Sequence, residues 1–275
     1  MKVARALAKT TGRLEAAGCE SPCVDAEILV SHVLGMSRSE LALEPKRKLP
    51  REERHALEAL VARREKREPL AYVLGEWGFR RLTLTVDRRV LVPRPETEVV
   101  VERCLRRLDD IDEPRVLDVG TGSGAIALAI ADEHPGAQVS AIDASPGALE
   151  VAGANVLATG LHVDLRAWDL FAGLPDGSWD LVVSNPPYVL PEEVDTLQEE
   201  VREWEPREAL VGLGATEAVA RGALDVLVGG GALVLEVAAG DAGRVASILD
   251  VLGYLDVRVT EDLAGRDRVV EGSRP

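Results

Sequence analysis

Beyond residue 115, strand-like and helix-like segments alternate along the chain, and this alternation limits the possible folds more than any other feature. The apolar segment "RVLDVG" precedes a glycine loop and the helical segment "AIALAIADEH", and the same order recurs towards the C-terminus. Strands that alternate with helices favour a largely parallel, doubly wound sheet. The last two strand-like segments have no helix between them, which predicts a terminal antiparallel strand. We therefore expect an α/β domain at residues 93–275.

Residues 1–70 have a different pattern. Apolar residues recur there at steps of three and four without strand-like alternation, which indicates helices. The residues with this spacing include Leu7, Leu14, Ala26, Leu29, Val30, Val33 and Leu34. In residues 71–92, Leu82, Leu84 and Val86 alternate with threonines, which predicts a β-hairpin-like connector. A helix is then expected from about Glu98 to Leu108, so the α/β domain follows a small helical domain and a connector.

The composition argues against several classes of protein. Hydrophobic residues make up 46% of the 275 residues, which is enough for a buried core. No apolar stretch reaches the roughly 18 residues of a membrane span, and the N-terminal segment is amphipathic, unlike a signal peptide. Three cysteines are too few for a disulfide framework and fit a reducing compartment. We therefore expect a cytoplasmic protein with free thiols and without a metal site.

The net charge of −15 is unevenly distributed. Residues 1–70 contain 14 Lys and Arg against 11 Asp and Glu, whereas the remainder contains 18 against 36. A strongly acidic body argues against stable binding to a nucleic-acid backbone, which needs basic contacts. The mildly basic N-terminal part could contact an acidic protein or RNA, or simply form a solvated helical surface.

A glycine loop joins the first strand of the α/β domain to its first helix. In "LDVGTGSGAIALAIA", Gly120, Gly122 and Gly124 alternate with Thr121 and Ser123. Glycines at this place allow a tight turn and a close approach of the backbone to a ligand. The spacing G-x-G-x-G differs from the G-x-G-x-x-G of dinucleotide-binding folds, and no Lys-Ser/Thr follows as in a P-loop. The loop therefore favours a nucleoside ligand without a pyrophosphate.

Two aspartates follow the next strands. Asp143 ends "VSAID", where a carboxylate can accept hydrogen bonds from both ribose hydroxyls. Asp169 ends the third strand and could bind an adenine amino group. A single nucleoside with an extended tail fits this arrangement best, and S-adenosylmethionine is such a ligand. The alternative is that the glycines form an ordinary turn, that Asp143 caps a helix and that Asp169 lies in a surface turn.

The segment "SNPPY", Ser184 to Tyr188, follows the buried strand "DLVVS". Two consecutive prolines cannot continue a central strand, because neither has a backbone donor. The chain therefore leaves the strand as a rigid loop that begins with the amide of Asn185 and ends with an aromatic ring. Taken alone, this segment could be no more than a polyproline-like turn.

The residue types of this loop suit methyl transfer to a planar amino or amide nitrogen. Such a nitrogen is a poor nucleophile because its lone pair is delocalised. The Asn185 side-chain oxygen and a proline carbonyl can accept hydrogen bonds from its two N–H groups, and the prolines preorganise those acceptors. Tyr188 can stack on the planar group and lie near a sulfonium. A strong general base is not required, because the proton can leave after methylation.

Five segments of the chain occur together in a characteristic order: "PLAYVLGEWGF", "VLVPRPETE", "LDVGTGSGAIALA", "VSNPPYV" and "DLAGRDRVV". With the helical N-terminal part, they closely resemble the HemK/PrmC family of peptide-chain release-factor glutamine N5-methyltransferases over nearly all of the chain. Asn-Pro-Pro-Tyr is shared with other amino methyltransferases, whereas "PLAYxLGE" and "PRPETE" are more specific. The resemblance implies a Rossmann-like class I S-adenosylmethionine-dependent methyltransferase domain after a helical domain that docks the release factor.

The resemblance also implies a reaction and a set of site residues. A methyl group passes from S-adenosylmethionine, which leaves as S-adenosylhomocysteine, to the glutamine of the Gly-Gly-Gln motif of class I release factors. The residues implied for the cofactor are Gly120, Thr121, Gly122, Ser123, Gly124, Asp143, Asp169, Leu170 and Asn185. Those implied for the glutamine side chain are Asn185, Pro186, Pro187, Tyr188, Phe79, Arg94 and Thr97. The predicted catalytic residues are Asn185, Pro186 and Tyr188.

Some of these residues also have simpler explanations. Phe79 could belong to the core of the connector, Arg94 could be an exposed cation of a turn, and Thr97 with Glu98 makes a good helix start. The chain also departs from its relatives at two places. Leu170 stands where relatives often have an aromatic residue, with Trp168 on the other side of Asp169, and Ala238 replaces a usual glycine.

Two other functions compete with the leading one. The first is methylation of an adenine or cytosine amino group in RNA or DNA, against which the acidic body and the lack of a basic recognition segment argue. The second is a non-catalytic cofactor-binding or docking protein, against which the intact glycine loop, Asp143 and Asn-Pro-Pro-Tyr argue. If the chain is a release-factor methyltransferase, we expect a monomer whose partner is a release factor. We expect no stable complex with nucleic acid or with a membrane.

Overall fold

The structure is a computed structural model that describes residues 1–275. Its α-helices are α1 (Val3–Ala16), α2 (Pro22–Leu34), α3 (Arg38–Leu43), α4 (Arg51–Arg64), α5 (Leu70–Leu74), α6 (Pro95–Leu108), α7 (Ala125–Glu133), α8 (Pro146–Thr159), α9 (Glu199–Trp204), α10 (Arg207–Leu210), α11 (Ala215–Val226) and α12 (Ala242–Leu252). Its strands are β1 (Glu76–Phe79), β2 (Leu82–Thr85), β3 (Arg115–Val119), β4 (Gln138–Asp143), β5 (Val163–Ala167), β6 (Trp179–Ser184), β7 (Leu227–Glu236), β8 (Leu255–Glu261) and β9 (Asp267–Ser273). None of the helices has the length and apolar character that a membrane crossing requires.

The chain divides into two compact units. The helical unit comprises Met1–Glu76 and Gln198–Trp204, and the sheet unit comprises Trp77–Leu197 and Glu205–Pro275. The helical unit thus includes α9, a segment far from its other helices in sequence. The limits predicted for the three domains, 1–70, 71–92 and 93–275, stay predictions.

In the helical unit, α1, α2 and α4 pack together through their apolar residues, among which Leu14, Leu29 and Leu57 are buried. A group of charged side chains is also buried there. Arg64 donates to Asp25 at 2.8 Å and pairs with Glu200 of α9 at 2.8 Å. Buried charges need such partners, because an unpaired charge costs several kcal/mol. This ion-pair group therefore explains how α9 belongs to the helical unit.

In the sheet unit, seven strands form one sheet in the order β5-β4-β3-β6-β7-β9-β8. The first five are parallel, and β9 is antiparallel to both β7 and β8. The predicted α/β fold, with a mostly parallel sheet and a terminal antiparallel strand, is confirmed. The order of the parallel strands reverses beside β3, which creates the crevice where doubly wound sheets bind ligands.

The two faces of the sheet carry separate hydrophobic clusters. Residues of α6 and α7 pack on one face, and residues of α11 and α12 pack on the other. Neighbouring strand residues divide between the clusters, as Val116 faces the first and Leu117 the second. Because strand side chains alternate between faces, a strand covered on both sides is apolar along most of its length.

Before the large sheet, β1 and β2 form a two-stranded sheet within the stretch predicted as a hairpin-like connector. Helix α6 then begins at Pro95, earlier than the predicted Glu98. Proline is well suited to the first position of a helix, because the missing N–H would have no partner inside the helix anyway. The earlier start places Thr97 in the first turn, and this position matters for the site.

Candidate active site

A cavity of about 360 Å³ lies at the carboxyl ends of the central parallel strands. Its lining includes Val119 from the end of β3, Asp143 from the end of β4 and Asn185 directly after β6. Neighbouring parallel strands end at the same edge of a sheet, so residues that are far apart in sequence meet here. The structure thus brings the glycine loop, Asp143 and the Asn-Pro-Pro-Tyr loop to one site.

The glycine loop turns back over the end of β4. The backbone N–H groups of Gly120 and Thr121 donate to the Ile142 carbonyl at 2.8 and 3.0 Å. Gly120 and Gly122 have positive φ angles of 74° and 56°, and a Cβ added to either would meet nothing within 4 Å. The absence of side chains there leaves the backbone open on the cavity side, which allows a ligand to approach closely.

Asp118 fixes this loop from beneath. Its side chain is fully buried and accepts a hydrogen bond from the Thr121 hydroxyl at 2.7 Å. Burial raises the pKa of this carboxyl to about 7, because desolvation disfavours the charged form. Asp118 is not evident from the sequence, since an aspartate inside a strand has no distinctive local pattern.

Asp143 lies at the cavity with its carboxylate held by backbone groups. It accepts from Gly122 N at 2.9 Å through one oxygen and from Ser145 N at 2.9 Å through the other. A carboxylate has about four lone-pair sites, so each oxygen keeps acceptor capacity for a further donor. Burial raises its pKa, and the backbone donors partly counteract this. The arrangement suits binding of the two hydroxyls of a ribose.

Four consecutive residues, Trp168, Asp169, Leu170 and Phe171, line the cavity beside Asp143. Asp169 accepts from Phe171 N at 2.9 Å and caps a short 3₁₀ turn. Trp168 and Phe171 are partly exposed, and Trp168 donates through its indole nitrogen to the Gly173 carbonyl at 2.7 Å. Two aromatic residues therefore flank the place where Leu170 stands, and one of them, Phe171, was not among the predicted site residues.

The Asn-Pro-Pro-Tyr loop is fixed at the end of β6. Ser184 is buried and donates to the Val119 carbonyl at 2.7 Å, which ties this strand end to the start of the glycine loop. Asn185 and Pro187 line the cavity, while Pro186 is buried and Tyr188 is half-buried. Burial, and next the negative charge of Glu236, raise the pKa of Tyr188 to about 12. Tyr188 therefore stays protonated at neutral pH.

Behind Asn185 lies a short chain of hydrogen bonds. The Asn185 side-chain nitrogen donates to the Thr97 hydroxyl over a long 3.4 Å, and that hydroxyl donates to the Glu236 carboxylate at 2.6 Å. Thr97 and Glu236 are almost completely buried, at 4% and 2% exposure. Thr97 was among the site residues predicted from the sequence, whereas Glu236 was not.

Arg94 also lines the cavity, and it is paired with a carboxylate. One guanidinium nitrogen lies 2.6 Å from Glu205, whose side chain is buried. Arg94 is therefore more than the exposed turn cation that was its simpler explanation. Burial raises the pKa of Glu205, and the charge of Arg94 counteracts that effect.

Phe79 is not among the residues that line this cavity, and its place at the substrate stays a prediction. Phe79 is 1% exposed and belongs to the hydrophobic cluster that contains Leu84 and residues of α6. It ends β1 in the two-stranded sheet, where the simpler explanation placed it. A buried aromatic ring in a connector packs on the nearest helix, and the sequence pattern cannot distinguish this from a place at a cavity wall.

One wall of the cavity, formed by the chain after the Asn-Pro-Pro-Tyr loop, was not predicted from the sequence. Its members at the cavity are Pro206, Glu208, Ala209, Val211, Gly212 and Ala215. This wall is held by a bridge between Val189 and Val211, in which Val189 N donates to the Leu210 carbonyl at 3.0 Å. The segment has no repeated apolar spacing, so its only signals are Pro206 and Gly212.

The lining fits S-adenosylmethionine. The open backbone at Gly120 and Gly122, the acceptor capacity of Asp143 and the partly exposed rings of Trp168 and Phe171 suit a nucleoside with an extended tail. Together with the strand order, this site defines a Rossmann-like, S-adenosylmethionine-dependent methyltransferase. The comparisons with known proteins narrow this class to one family.

Two family models match the chain: "PrmC N-terminal domain" at residues 5–75 and "Methyltransferase small domain" at residues 101–220. A release factor glutamine methyltransferase from Geobacter sulfurreducens is 42% identical over 267 residues, which cover 96% of this chain and 93% of the relative. A protein of the same name from Caulobacter vibrioides is 40% identical over 268 residues, which cover 94% of this chain and 92% of the relative. The chain belongs to the release factor glutamine methyltransferase family.

Among solved structures, the Thermus thermophilus 16S rRNA N2 G1207 methyltransferase, in complex with AdoMet and guanosine, is similar with a TM-score of 0.53. It is 17% identical, and the match covers 73% of this chain and 50% of that chain. At this identity the likeness concerns the fold alone, and it agrees with the strand order described above.

Proposed function

We propose that this protein transfers the methyl group of S-adenosylmethionine to the side-chain amide nitrogen, N5, of the glutamine in the Gly-Gly-Gln motif of class I peptide-chain release factors. The observation that carries the proposal is the placement of Asn185 on the wall of the same cavity as the glycine loop and Asp143. The same cavity is thus lined by an acceptor for the substrate amide and by the elements of a nucleoside site. The named relatives support the choice of a release factor as the substrate.

The residues have distinct proposed roles. When bound, S-adenosylmethionine supplies an electrophilic methyl group on a sulfonium and leaves as S-adenosylhomocysteine. The glycine loop and Asp143 hold the nucleoside, with Asp169 and Leu170 beside the base. Asn185 Oδ1 and the Pro186 carbonyl accept the two N–H groups of the glutamine amide, which orients its nitrogen for attack. The rate gain comes mainly from this alignment.

Tyr188 and Pro187 complete the place for the amide. The ring of Tyr188 can cover the flat amide and lie close to positive charge. The nitrogen becomes cationic as it gains the methyl group, and its proton then leaves to solvent, so no side chain has to act as a strong base. Arg94 and Thr97 line the cavity, and both are proposed to contact the substrate.

The proposal is tested with purified protein, radiolabelled S-adenosylmethionine and a recombinant class I release factor. We expect label in the release factor, and no label when the glutamine of its Gly-Gly-Gln motif is replaced by alanine. Labelling of both proteins alike would contradict the assignment, and labelling of RNA or DNA alone would favour the amino methyltransferase of nucleic acids instead. We also infer that the enzyme acts as a monomer in the cytoplasm, which gel filtration and cell fractionation can check.

A further inference from the structure

Glu236 is a buried carboxylate that no step of the proposed reaction uses. It ends β7 and is 2% exposed, yet it lies only two hydrogen bonds from Asn185. A buried carboxylate costs free energy unless it is hydrogen-bonded. Its hydrogen bond at 2.6 Å comes from the Thr97 hydroxyl. Such a short contact fits a charge-assisted bond from a hydroxyl to an ionised carboxylate.

The direction of these hydrogen bonds decides which end of the Asn185 amide meets the substrate. A hydroxyl has one proton, and Thr97 donates it to Glu236. The Thr97 oxygen can then only accept from Asn185, so it must face Nδ2, as it does at 3.4 Å. The Asn185 oxygen is left free to accept from a substrate N–H. If the carboxyl were protonated and donated to Thr97, the hydroxyl would be released to donate to Asn185 Oδ1 instead.

We propose that Glu236 is a positioning residue for methyl transfer: through Thr97 it fixes the orientation of the Asn185 amide so that Oδ1 faces the substrate amide. The long 3.4 Å contact suits this role, because hydrogen bonds at catalytic groups are often loose without substrate and tighten in the reacting complex. The assignment rests on the proposed function, since it concerns the amide acceptor of that reaction.

The charged groups around Glu236 come from three elements. Arg268 lies on β9, Arg94 and Glu96 lie at the start of α6, and Tyr188 follows β6. Burial raises the pKa of Glu236 to about 7; Thr97 and the two arginines counteract this rise, and Glu96 adds to it. The carboxylate is therefore ionised above neutral pH and loses its charge as the pH falls below about 7. We expect kcat to fall over the same range.

The experiment compares kcat for a recombinant release factor at saturating cofactor from about pH 6 to about pH 9, a range that brackets this ionisation. Thr97→Val keeps the volume but removes the hydroxyl, and we expect kcat to fall by about tenfold or more, with the Kd for S-adenosylmethionine unchanged. Thr97→Ser keeps the hydroxyl and should restore most of kcat. Glu236→Gln cannot ionise, so its kcat should be lowered and should no longer decrease on the acid side.

Matched controls separate positioning from loss of stability. Thr10→Val makes the same change at a buried threonine of α1, and Glu271→Gln neutralises another fully buried carboxylate, on β9. Neither should change kcat or its pH profile. Circular dichroism of each variant checks folding. If Thr97→Val does not fold, the single variants Thr97→Ser and Glu236→Gln are the more conservative changes that still test the role of Glu236.

The outcomes separate this assignment from the proposed function. Absence of transfer by the wild-type protein would overturn both. Wild-type transfer, with kcat of Thr97→Val unchanged or with an acid limb that persists in Glu236→Gln, would overturn only the role of Glu236. Loss of kcat in Thr97→Val, recovery in Thr97→Ser and a pH-independent Glu236→Gln would establish it.

Discussion

At the scale of single residues, the groups around Asn185 differ in how visible they are in the sequence. Asn185 and Tyr188 belong to a short motif, because the chemistry of a planar nitrogen and the two prolines restrict consecutive positions. Thr97 and Glu236 are 139 residues apart and meet only in the folded chain. Sequence pattern could therefore point to Asn185 as the proposed acceptor but not to the groups proposed to orient it, since a Glu at the end of an apolar strand has no distinctive spacing.

We predict that Asn185→Ala abolishes methyl transfer while cofactor binding persists. The substitution removes the side-chain acceptor for the glutamine amide, and loss of one preorganised hydrogen-bond partner costs about 10²–10³-fold in kcat. The glycine loop and Asp143 are unchanged, so the affinity for S-adenosylmethionine should be close to that of the wild type. Single-turnover transfer and isothermal calorimetry measure the two quantities. A parallel loss of cofactor affinity would contradict the role assigned to Asn185.

Glu236→Gln should also change stability, in the opposite direction to its effect on kcat. Because burial raises the pKa of this carboxyl from 4.5 to about 7, the folded state binds more protons than the unfolded state between these values. The free energy of unfolding therefore decreases as the pH rises through this window, and this loss of stability is complete above about pH 7. We expect the variant to be more stable than the wild type by about 1–3 kcal/mol at pH 8 and by little at pH 5. Urea denaturation at both pH values tests this, and equal differences at both would contradict the assigned ionisation.

At the scale of elements, the sequence predicts the central strands of the large sheet well, because their apolar runs separate clearly from the helices. It predicts much less about the wall between β6 and α11. There, the bridge of Val189 to Val211 and the close approach of Gly212 to Pro187 join residues 22 and 25 positions apart. A short bridge of this kind leaves no periodic pattern. The early start of α6 at Pro95 similarly follows from the local rule for proline, which identifies the boundary better than the apolar spacing does.

We predict that Gly212→Ala impairs methyl transfer through the Asn-Pro-Pro-Tyr loop. A Cβ at Gly212 would lie 2.3 Å from Cγ of Pro187 and 2.9 Å from its carbonyl oxygen, so the loop or the wall has to move. A displacement of about 1 Å at a reacting group can cost about 10²-fold in rate. Gly243→Ala on α12 is the control, because its Cβ would meet nothing within 4 Å and alanine suits a helix. Equal kcat values for the two variants would show that the wall does not position the loop.

At the scale of the whole molecule, the chain leaves the sheet unit at Leu197, contributes α9 to the helical unit and returns at Glu205. The same segment thus follows the Asn-Pro-Pro-Tyr loop, belongs to the helical unit and continues into the wall of the cavity. Composition reveals the acidic body and the mildly basic N-terminal part, but it does not reveal this return. The reason is that α9 is held by charged pairs, Arg64 and Arg67 with Glu200, and charged residues are normally read as a solvated surface.

Glu200→Gln should therefore destabilise the helical unit. Burial raises the pKa of Glu200, but the hydrogen bonds and charges of Arg67 and Arg64 outweigh this effect and lower it below 4.5. With a lowered pKa, the carboxylate contributes stability above the unfolded value of 4.5, and this contribution is lost as the pH falls through the folded pKa.

Glu200 and Arg64 have side-chain exposures of only 13% and 7%. Removal of the negative charge leaves buried Arg64 with Asp25 as its remaining carboxylate partner and takes from Arg67 its nearer one, and this should cost up to about 3 kcal/mol at pH 7. Thermal melting at pH 7 and at about pH 3 tests this, with a larger difference from the wild type expected at the higher pH. Glu203→Gln, on the same helix but with a side chain that is 55% exposed, should leave the melting temperature unchanged at both. If Glu203→Gln lowers the melting temperature as much as Glu200→Gln does, general surface charge stabilises α9 in the helical unit, and the buried ion pairs do not.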